Sequence, residues 1–430
     1  MKKVHIIGGG TLSLVTPHFQ LCSKAYGATP RMLADLCKKY GKLEVCLHLT
    51  KMAGGTELEY VEDIACLLDK LKADTDTKII FMPVAMLDFQ GLMGQRDPGS
   101  NHITYPADFE GETKRLHARD YDWMVPSSWP HMRLKPLGKM IGNVRRGRKD
   151  IFLVGFKQTD GETPEQQYIS GLNLLKEASC NLVLANDSIS RLNMVITPEE
   201  AKYHVTTNRE EALKGLVEMT MLRSQLTFTR STVVAGESVP WTSPLVPDAL
   251  RTVVNHCIER GAYKPFRGVT VGHFAVKLDD QTFLTSKRKT NFNALDVNGL
   301  VMVKTDGPDN VIAYGSKPSV GGQSQRIVFG EHKDCDCIVH AHVPIKPGSK
   351  VPIVSQREYE CGSHECGKNT SRGLKKFGNL YAVYLDNHGP NIVFHRNIDP
   401  QEVINFIDEN FDLAGKTGGA VSLPAMVSIS

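Results

Sequence analysis

A chain of 430 residues, 41% hydrophobic and 23% charged, has the make-up of a globular protein, and at ~100–200 residues per domain it holds two or three domains. Lys and Arg total 51 against 47 Asp and Glu, a formal net charge of +4, so the charge balance excludes a general polyanion binder and no nucleic-acid partner is expected. No stretch approaches the ~18 apolar residues of a spanning helix, no secretory apolar core follows Met1, and the ten cysteines read as reduced thiols; the expectation is a cytoplasmic protein with no membrane partner.

Residues 1–225 alternate strand and helix signals. Strand-like runs fall at 4–7, 44–48, 78–82, 151–154 and 181–185. Thr29-Pro30 opens a helix that Gly41 stops, Thr163-Pro164 opens another that runs to Ala178, and a third passes through Leu213, Leu216 and Met219. Short apolar strands between helices predict an α/β layer fold with a largely parallel sheet. Residues 97–132, with Trp123 and Trp129 and little periodicity, read as a long loop or flap.

Pro240, Pro244 and Pro247 mark a linker over 226–249. Hairpin-like strands follow at 273–278, 282–285, 300–304 and 311–314, joined by turns at Asp279-Asp280 and Asp306-Gly307. Further strands are predicted at 338–342, 380–385 and 391–394, then a helix opened by Asp399-Pro400 with Val403, Ile404, Ile407 and Phe411 as its apolar stripe. The small, polar tail 415–430 is expected to be loose or partner-bound. The chain thus divides into a nucleotide-binding domain over 1–225, the linker, a metal-binding domain over 250–414, and the tail.

The chemistry concentrates in Ile338-Val339-His340-Ala341-His342. On a strand, histidines two apart project from one face while Val339 and Ala341 face the other. Asn387-His388-Gly389-Pro390 follows another strand by a turn that aims a third imidazole. Three neutral imidazoles with an open position make a Lewis-acid site for Zn²⁺ or another divalent ion. The Cys335/Cys337 and Cys361/Cys366 spacings fit either zinc ligands or scattered structural thiols. The basic runs Arg145-Arg146 with Arg148-Lys149, and Lys287-Arg288-Lys289, read as solvated faces or local phosphate contacts.

From Lys317-Pro318-Ser319 through the two histidine motifs, residues 250–412 resemble class II aldolases and the related pentulose-phosphate epimerases. The resemblance implies an α/β/α domain in which His340, His342 and His388 hold zinc or a similar ion that stabilises an enediolate of a phosphorylated sugar. The family's acid after the Lys-Pro-Ser segment falls here on Gly321, and its neighbours Gly322 and Gln323 are not acids. A positioned base is worth ~10²–10⁴-fold, so the chemistry is altered unless Glu360 or Glu365 substitutes. Glu365 falls near a second acid of the epimerases and is the candidate catalytic residue; the alternative is a surface glutamate. The family's phosphate-binding pair reads Gly272-His273, and its Thr-Gly loop reads Ser286-Lys287-Arg288-Lys289, which makes Lys287 a candidate anion-binding residue.

In the N-terminal half, Gly8-Gly9-Gly10-Thr11 follows the first strand, where glycines admit a phosphate to backbone N–H groups or simply make a tight turn. Together with residues 23–29, Gly155-Phe156-Lys157-Gln158-Thr159-Asp160, Ala185-Asn186-Asp187-Ser188 and Asp88, this run resembles the phosphopantothenate–cysteine ligases over residues 3–222, with 134–157 closer to the eukaryotic ligases. The resemblance implies a Rossmann-like, doubly wound parallel sheet that binds ATP or CTP with Mg²⁺. It places Gly9, Gly10 and Thr11 on the nucleotide phosphates, Gly27 beneath their turn, and Phe156 beside the nucleotide. Lys157 and Asn186 become the candidate catalytic residues, Asn186 orienting the acyl phosphate. Cys22-Ser23-Lys24 departs from the family's Ser-Ser-Gly turn.

Three readings follow: an enzyme of small phosphorylated metabolites with both domains at work, a metal-binding structural protein that keeps both folds, and a lyase or epimerase active in the C-terminal domain alone. Both families form homo-oligomers, so a dimer, tetramer or larger assembly is expected.

Overall fold

The computed structural model describes residues 1–16, 19–41, 43–93, 95–96, 103–104, 112–115 and 131–417; side chains are described for all of these except 16, 92–93, 95–96, 103–104, 112–115, 131–133 and 320–324. The chain divides into two compact units, residues 1–157 with 174–183, and residues 158–173 with the chain from 184 onward.

In the first unit the central strand β1 (Lys3–Gly10) pairs in parallel with β2 (Glu44–Leu49) and β3 (Thr77–Met82), and β3 pairs in parallel with β4 (Phe152–Thr159). Val4, Ile6, Ile7, Ile79, Ile80 and Phe81 are buried in near-continuous runs, the pattern of a sheet covered on both faces. Helices α1 (Ala28–Lys38) and α2 (Val61–Ala73) make the parallel crossovers. Proline at the third position of α1 donates no N–H, which costs nothing in a helix's first turn.

Helix α3 (Pro164–Ala178) and strand β5 (Leu182–Asp187) follow, and β6 (Asn193–Ile196) pairs antiparallel with β7 (Lys202–Thr206). The N-terminal sheet is therefore mixed, with flanking helices, and the α/β expectation holds. The five expected strands and three expected helices are all present; β6, β7 and α2 were not legible in the sequence. The expected flap over 97–132 lies outside the described residues, apart from short strands at Ile103–Thr104 and Glu112–Arg115 and the start of His131–Pro136. The last two pair with each other, and His131–Pro136 also pairs with Phe89–Met93.

After helix α4 (Arg209–Arg223), the second unit carries a ten-stranded sheet. Its strands are β8 (Arg230–Val234), β9 (His273–Lys277), β10 (Thr282–Ser286), β11 (Leu300–Thr305), β12 (Asn310–Tyr314), β13 (Cys337–His340), β14 (Ile353–Val354), β15 (Leu380–Leu385) and β16 (Gly389–Phe394), with Lys375–Phe377 paired to β15. The order is β8-β12-β11-β10-β9-β13-β16-β15-β14. Alternation assigns the faces. Phe274, Val276, Leu284 and Val339 pack with Leu250, Val253 and Val254 of α5 (Asp248–Glu259) and with Val403 and Ile407 of α8 (Pro400–Asn410). On the other face Ala275, Phe283, Val301 and Ile338 meet Val328 and Phe329 of α6 (Val320–Glu331). Helices on both faces make an α/β/α layer, as expected.

One expectation needs correction. The strand predicted over 338–342 ends at His340, and His342 lies on the segment leaving it. Val339 and Ala341 still share one core, so the alternation that puts both histidines opposite them survives the strand end.

Candidate metal centre

Three elements converge to make the site. His340 is the last residue of β13, His342 follows two residues on, and His388 sits in the turn between β15 and β16. That turn bonds the His388 N–H to the Leu385 carbonyl at 3.0 Å and takes Asn387 to a φ of 54°. It closes on Gly389, with φ 143°, where a Cβ would stand 2.0 Å from the Ala341 carbonyl oxygen. Only glycine lets the two chain segments approach this closely.

The three imidazoles are all buried, and one ring nitrogen from each lies within 4.8 Å of the others. His340 Nδ1 donates to the Pro390 carbonyl at 2.7 Å, which fixes its tautomer and turns the Nε2 lone pair inward. His340 Nε2 stands 3.2 Å from His388 Nε2. Two nitrogens bound to zinc at ~2.0–2.1 Å in a tetrahedral set lie roughly 3.3 Å apart, so this spacing fits a shared ion. The second ring nitrogen of His388, Nδ1, is buried without a hydrogen-bond partner among the described residues. Burial pushes His340 down to about 4 and His388 well below the usual histidine range, His340 adding to the effect on His388. Neutral imidazoles are what a cation requires. The cluster is therefore able to coordinate a divalent metal ion.

Residues not foreseen as part of the site complete its surroundings. His273 is directly opposite His340 across the β9–β13 register, with ring centroids 4.8 Å apart. The Gln325 amide donates to His273 Nδ1, while Gln325 Oε1 accepts from Thr285 Oγ1 at 3.0 Å. Burial, then His340, depresses His273 well below its ordinary value. Thr417 holds two of the histidines from behind: its N–H donates to the His342 carbonyl at 3.1 Å and its Oγ1 to the His388 carbonyl at 2.7 Å. His273 carried a signal, since it stands in the motif pair Gly272-His273; Thr417, in an unpatterned tail, carried none.

Residues 256–346 match the sequence model of the Class II Aldolase and Adducin N-terminal domain. The match covers His340 and His342 and stops short of His388. No curated protein matches the chain. Among solved structures, the DNA/pantothenate metabolism flavoprotein from Streptococcus pneumoniae is 15% identical, covering 51% of this chain and 97% of its own, with a TM-score of 0.38. The C-terminal domain of the coenzyme A biosynthesis bifunctional protein CoaBC is 14% identical over 51% of this chain and 95% of its own, TM-score 0.35. L-fuculose-1-phosphate aldolase from Thermus thermophilus is 20% identical over 38% of this chain and 85% of its own, TM-score 0.28. Each is a distant likeness over part of the chain.

The other candidate residues are placed as follows. Glu365 lies in the first turn of α7 (His364–Gly373), its carboxylate accepting from the Thr227 N–H at 3.1 Å and Thr227 Oγ1 at 2.9 Å. Lys287 follows β10 and its ammonium bonds Ser238 Oγ; burial lowers its pKa. Neither lines the cavity that His273, Gln325, Cys361, Cys366, His388 and Asn391 share. Next to Lys287, Ser286 Oγ is buried with no hydrogen-bond partner among the described residues.

Gly9 and Gly10 belong to β1 itself and pair with Val84 and Ala85. A Cβ on Gly10 would stand 1.8 Å from the Ser23 carbonyl oxygen, and Gly9 and Gly27 both abut Ala53. Thr11 Oγ1 donates to the Ala85 carbonyl at 3.2 Å and accepts the Leu87 N–H at 3.1 Å. Gly27, at φ 82°, is the N-cap of α1. Phe156 and Lys157 are half-buried near the end of β4, and Asn186 is half-buried on β5 beside Asp187. The Asp187 carboxylate accepts from Ser190 N at 2.8 Å, Thr159 Oγ1 at 2.8 Å and Ile189 N at 3.0 Å, bonds that hold it well below the usual carboxylate range against its burial.

Proposed function

We propose that the chain is a two-domain metabolic enzyme whose C-terminal domain, residues 250–414, holds zinc or another divalent ion on His340, His342 and His388 and acts on a small phosphorylated metabolite. The observation that carries this reading is the cluster of three buried imidazoles whose ring nitrogens lie within 4.8 Å of one another, two of them 3.2 Å apart. A bound ion supplies Lewis acidity toward a substrate oxygen. The Pro390 carbonyl orients His340, and Thr417 fixes the backbone of the other two ligands. Lys287, with the unpartnered Ser286 Oγ beside it, is suited to the anionic end of a substrate. Glu365 is the acid we assign to proton transfer in place of the one missing at Gly321. Elemental analysis of the purified chain should find about one ion per molecule, and the His340→Ala, His342→Ala double variant should lose it. A double variant that keeps its ion overturns the site. Glu365→Gln should abolish cleavage or epimerisation of a sugar phosphate and leave the ion bound.

For the N-terminal domain, residues 1–225, we propose ATP- or CTP-dependent, magnesium-assisted activation of a carboxylate. Gly9, Gly10, Thr11, Gly27 and Phe156 would bind the nucleotide, and Lys157 and Asn186 would act on the acyl phosphate. The half-buried positions of Phe156, Lys157 and Asn186 near strand ends support it, since open α/β sheets bind ligands beyond the carboxyl ends of their strands. Release of pyrophosphate or nucleoside monophosphate with 4′-phosphopantothenate and cysteine is the expected result; no turnover with any nucleotide rejects it. A homo-oligomer in a cytoplasmic setting completes the proposal.

A further inference from the structure

Cys361 and Cys366 flank the turn that opens α7. Ser363 caps the helix and its Oγ accepts the Cys366 N–H at 3.0 Å, so Cys366 sits in the first turn of a ten-residue helix. Partial positive charge at a helix N-terminus favours a thiolate there. Cys361 precedes the cap, and its N–H donates to Glu199 Oε1 at 2.6 Å. Glu199 is held in turn by Arg223, 3.1 Å away in a fully buried ion pair, and Arg223 also donates to the carbonyls of Gln356 at 3.2 Å and Arg357 at 2.9 Å. The Gln356 amide then donates to Cys366 Sγ at 3.5 Å. Anchored at both ends of the turn, the two thiols line the one cavity shared with His388 and His273.

This pair differs from the chain's other cysteines. Cys335 and Cys337 are as close in sequence, yet they pack in the cores on opposite faces of the sheet and cannot reach one another. Cys37, Cys180 and Cys257 are buried singly, which pushes each thiol up to about 12. Cys366 moves the other way, lowered by the hydrogen bond from Cys361 against its burial.

We propose that Cys361 and Cys366 are a redox-active dithiol that closes a disulfide in the cavity wall beside His388 on meeting a small-molecule disulfide. The Cys366 thiolate favoured by the helix N-terminus takes the proton of Cys361, the less buried of the two, and the Cys361 thiolate so formed attacks one sulfur of the outer disulfide. The outer S–S bond breaks, one small thiolate leaves, and a mixed disulfide forms on Cys361. Cys366 then attacks Cys361 Sγ and expels the second small thiol, its own proton going to that leaving group. One protein thiol and one protein thiolate are oxidised together by two electrons, and one small disulfide is reduced to a thiol and a thiolate.

The test uses the full chain in glutathione buffers from reduced to oxidised, with and without a chelator, followed by alkylation and peptide mass mapping. The peptide holding both cysteines should become resistant to alkylation and lose the mass of two hydrogens, reversibly with dithiothreitol. Cys361→Ser should abolish the disulfide, and Cys366→Ser should leave Cys361 carrying one glutathione. The proposal is overturned if both residues stay alkylatable where the exposed Cys22 and Cys66 take up glutathione, or if either pairs with another cysteine. The wild-type map needs no variant to fold, and the chelator arm separates this result from that of the metal site.

Discussion

His5 shows how strongly position governs a titrating side chain in this protein. It stands on β1 with Nδ1 3.0 Å from His48 Nε2 and Nε2 3.3 Å from Thr77 Oγ1. Burial depresses it to about 4, and the neighbouring His48 adds repulsion. In the unfolded chain a histidine titrates at about 6.5, so the unfolded state takes up the proton first as the solution is acidified. Stability is therefore full above about pH 6.5 and falls as pH drops toward about 4, by up to about 1.4 kcal/mol per pH unit for this one proton. Urea midpoints of the wild type should fall more steeply over that window than those of His5→Gln. Parallel slopes would show that another group carries the acid sensitivity. His340 and His388 are shifted in the same direction by the same cause.

At the level of elements, the parts that the sequence made legible were those whose local chemistry and tertiary setting agree. β15 coincides with its predicted span, and α8 opens at the Asp399-Pro400 cap, where Asp399 accepts from the Gln401 N–H. Helix α6 was not legible because Gly321 and Gly322 in its first turn oppose helix formation; Val328 and Phe329 hold it through the core. Helix α7 is too polar to show an apolar stripe, and the exposed strand β8 is defined by its parallel pairing with β12 rather than by its own residues. The histidine cluster was legible because imidazoles at a strand end and a tight turn leave a pattern; the packing of the Gly8–Gly10 run was not, because no pattern says what fills the space beside a glycine. That packing yields a comparison. Gly9 has φ 106° and a Cβ there would meet Thr50 Oγ1 at 2.0 Å, whereas Gly41 has φ 63° with nothing within 4 Å. Gly41→Ala should cost about 1 kcal/mol of backbone strain. Gly9→Ala should cost that and a further ~1–3 kcal/mol of overpacking. Equal denaturation midpoints for the two variants would contradict the close approach of β1 to Thr50.

Over the whole second unit, the segment before residue 226 is bound to the sheet that carries the histidine cluster by buried polar contacts as much as by sequence continuity. Arg223 satisfies the Gln356 and Arg357 carbonyls, Glu199 takes the Cys361 N–H, and Lys416 pairs with Glu200 at 2.7 Å. Arg357 reaches Glu218 at 2.9 Å, and Tyr203 Oη donates to the Asp386 carbonyl at 3.3 Å, two residues before His388. A fragment beginning at residue 226 would lose all of these partners at once. Each buried polar group left unmet costs about 1–3 kcal/mol, and several together rival the roughly 5–15 kcal/mol that holds an ordinary domain folded. The loss also reaches the site, because the 356–361 segment leads into α7 and the cavity at His388. Expressed alone, residues 226–430 should therefore melt at a lower temperature than the full chain, or fail to fold cooperatively, and should bind zinc more weakly by calorimetry. Adding zinc should raise the melting temperature of the full chain more than that of the fragment, since a ligand stabilises only the state that binds it. A fragment that matches the full chain in melting temperature and zinc affinity would show that these contacts are dispensable and that the metal-binding fold is complete without residues 1–225.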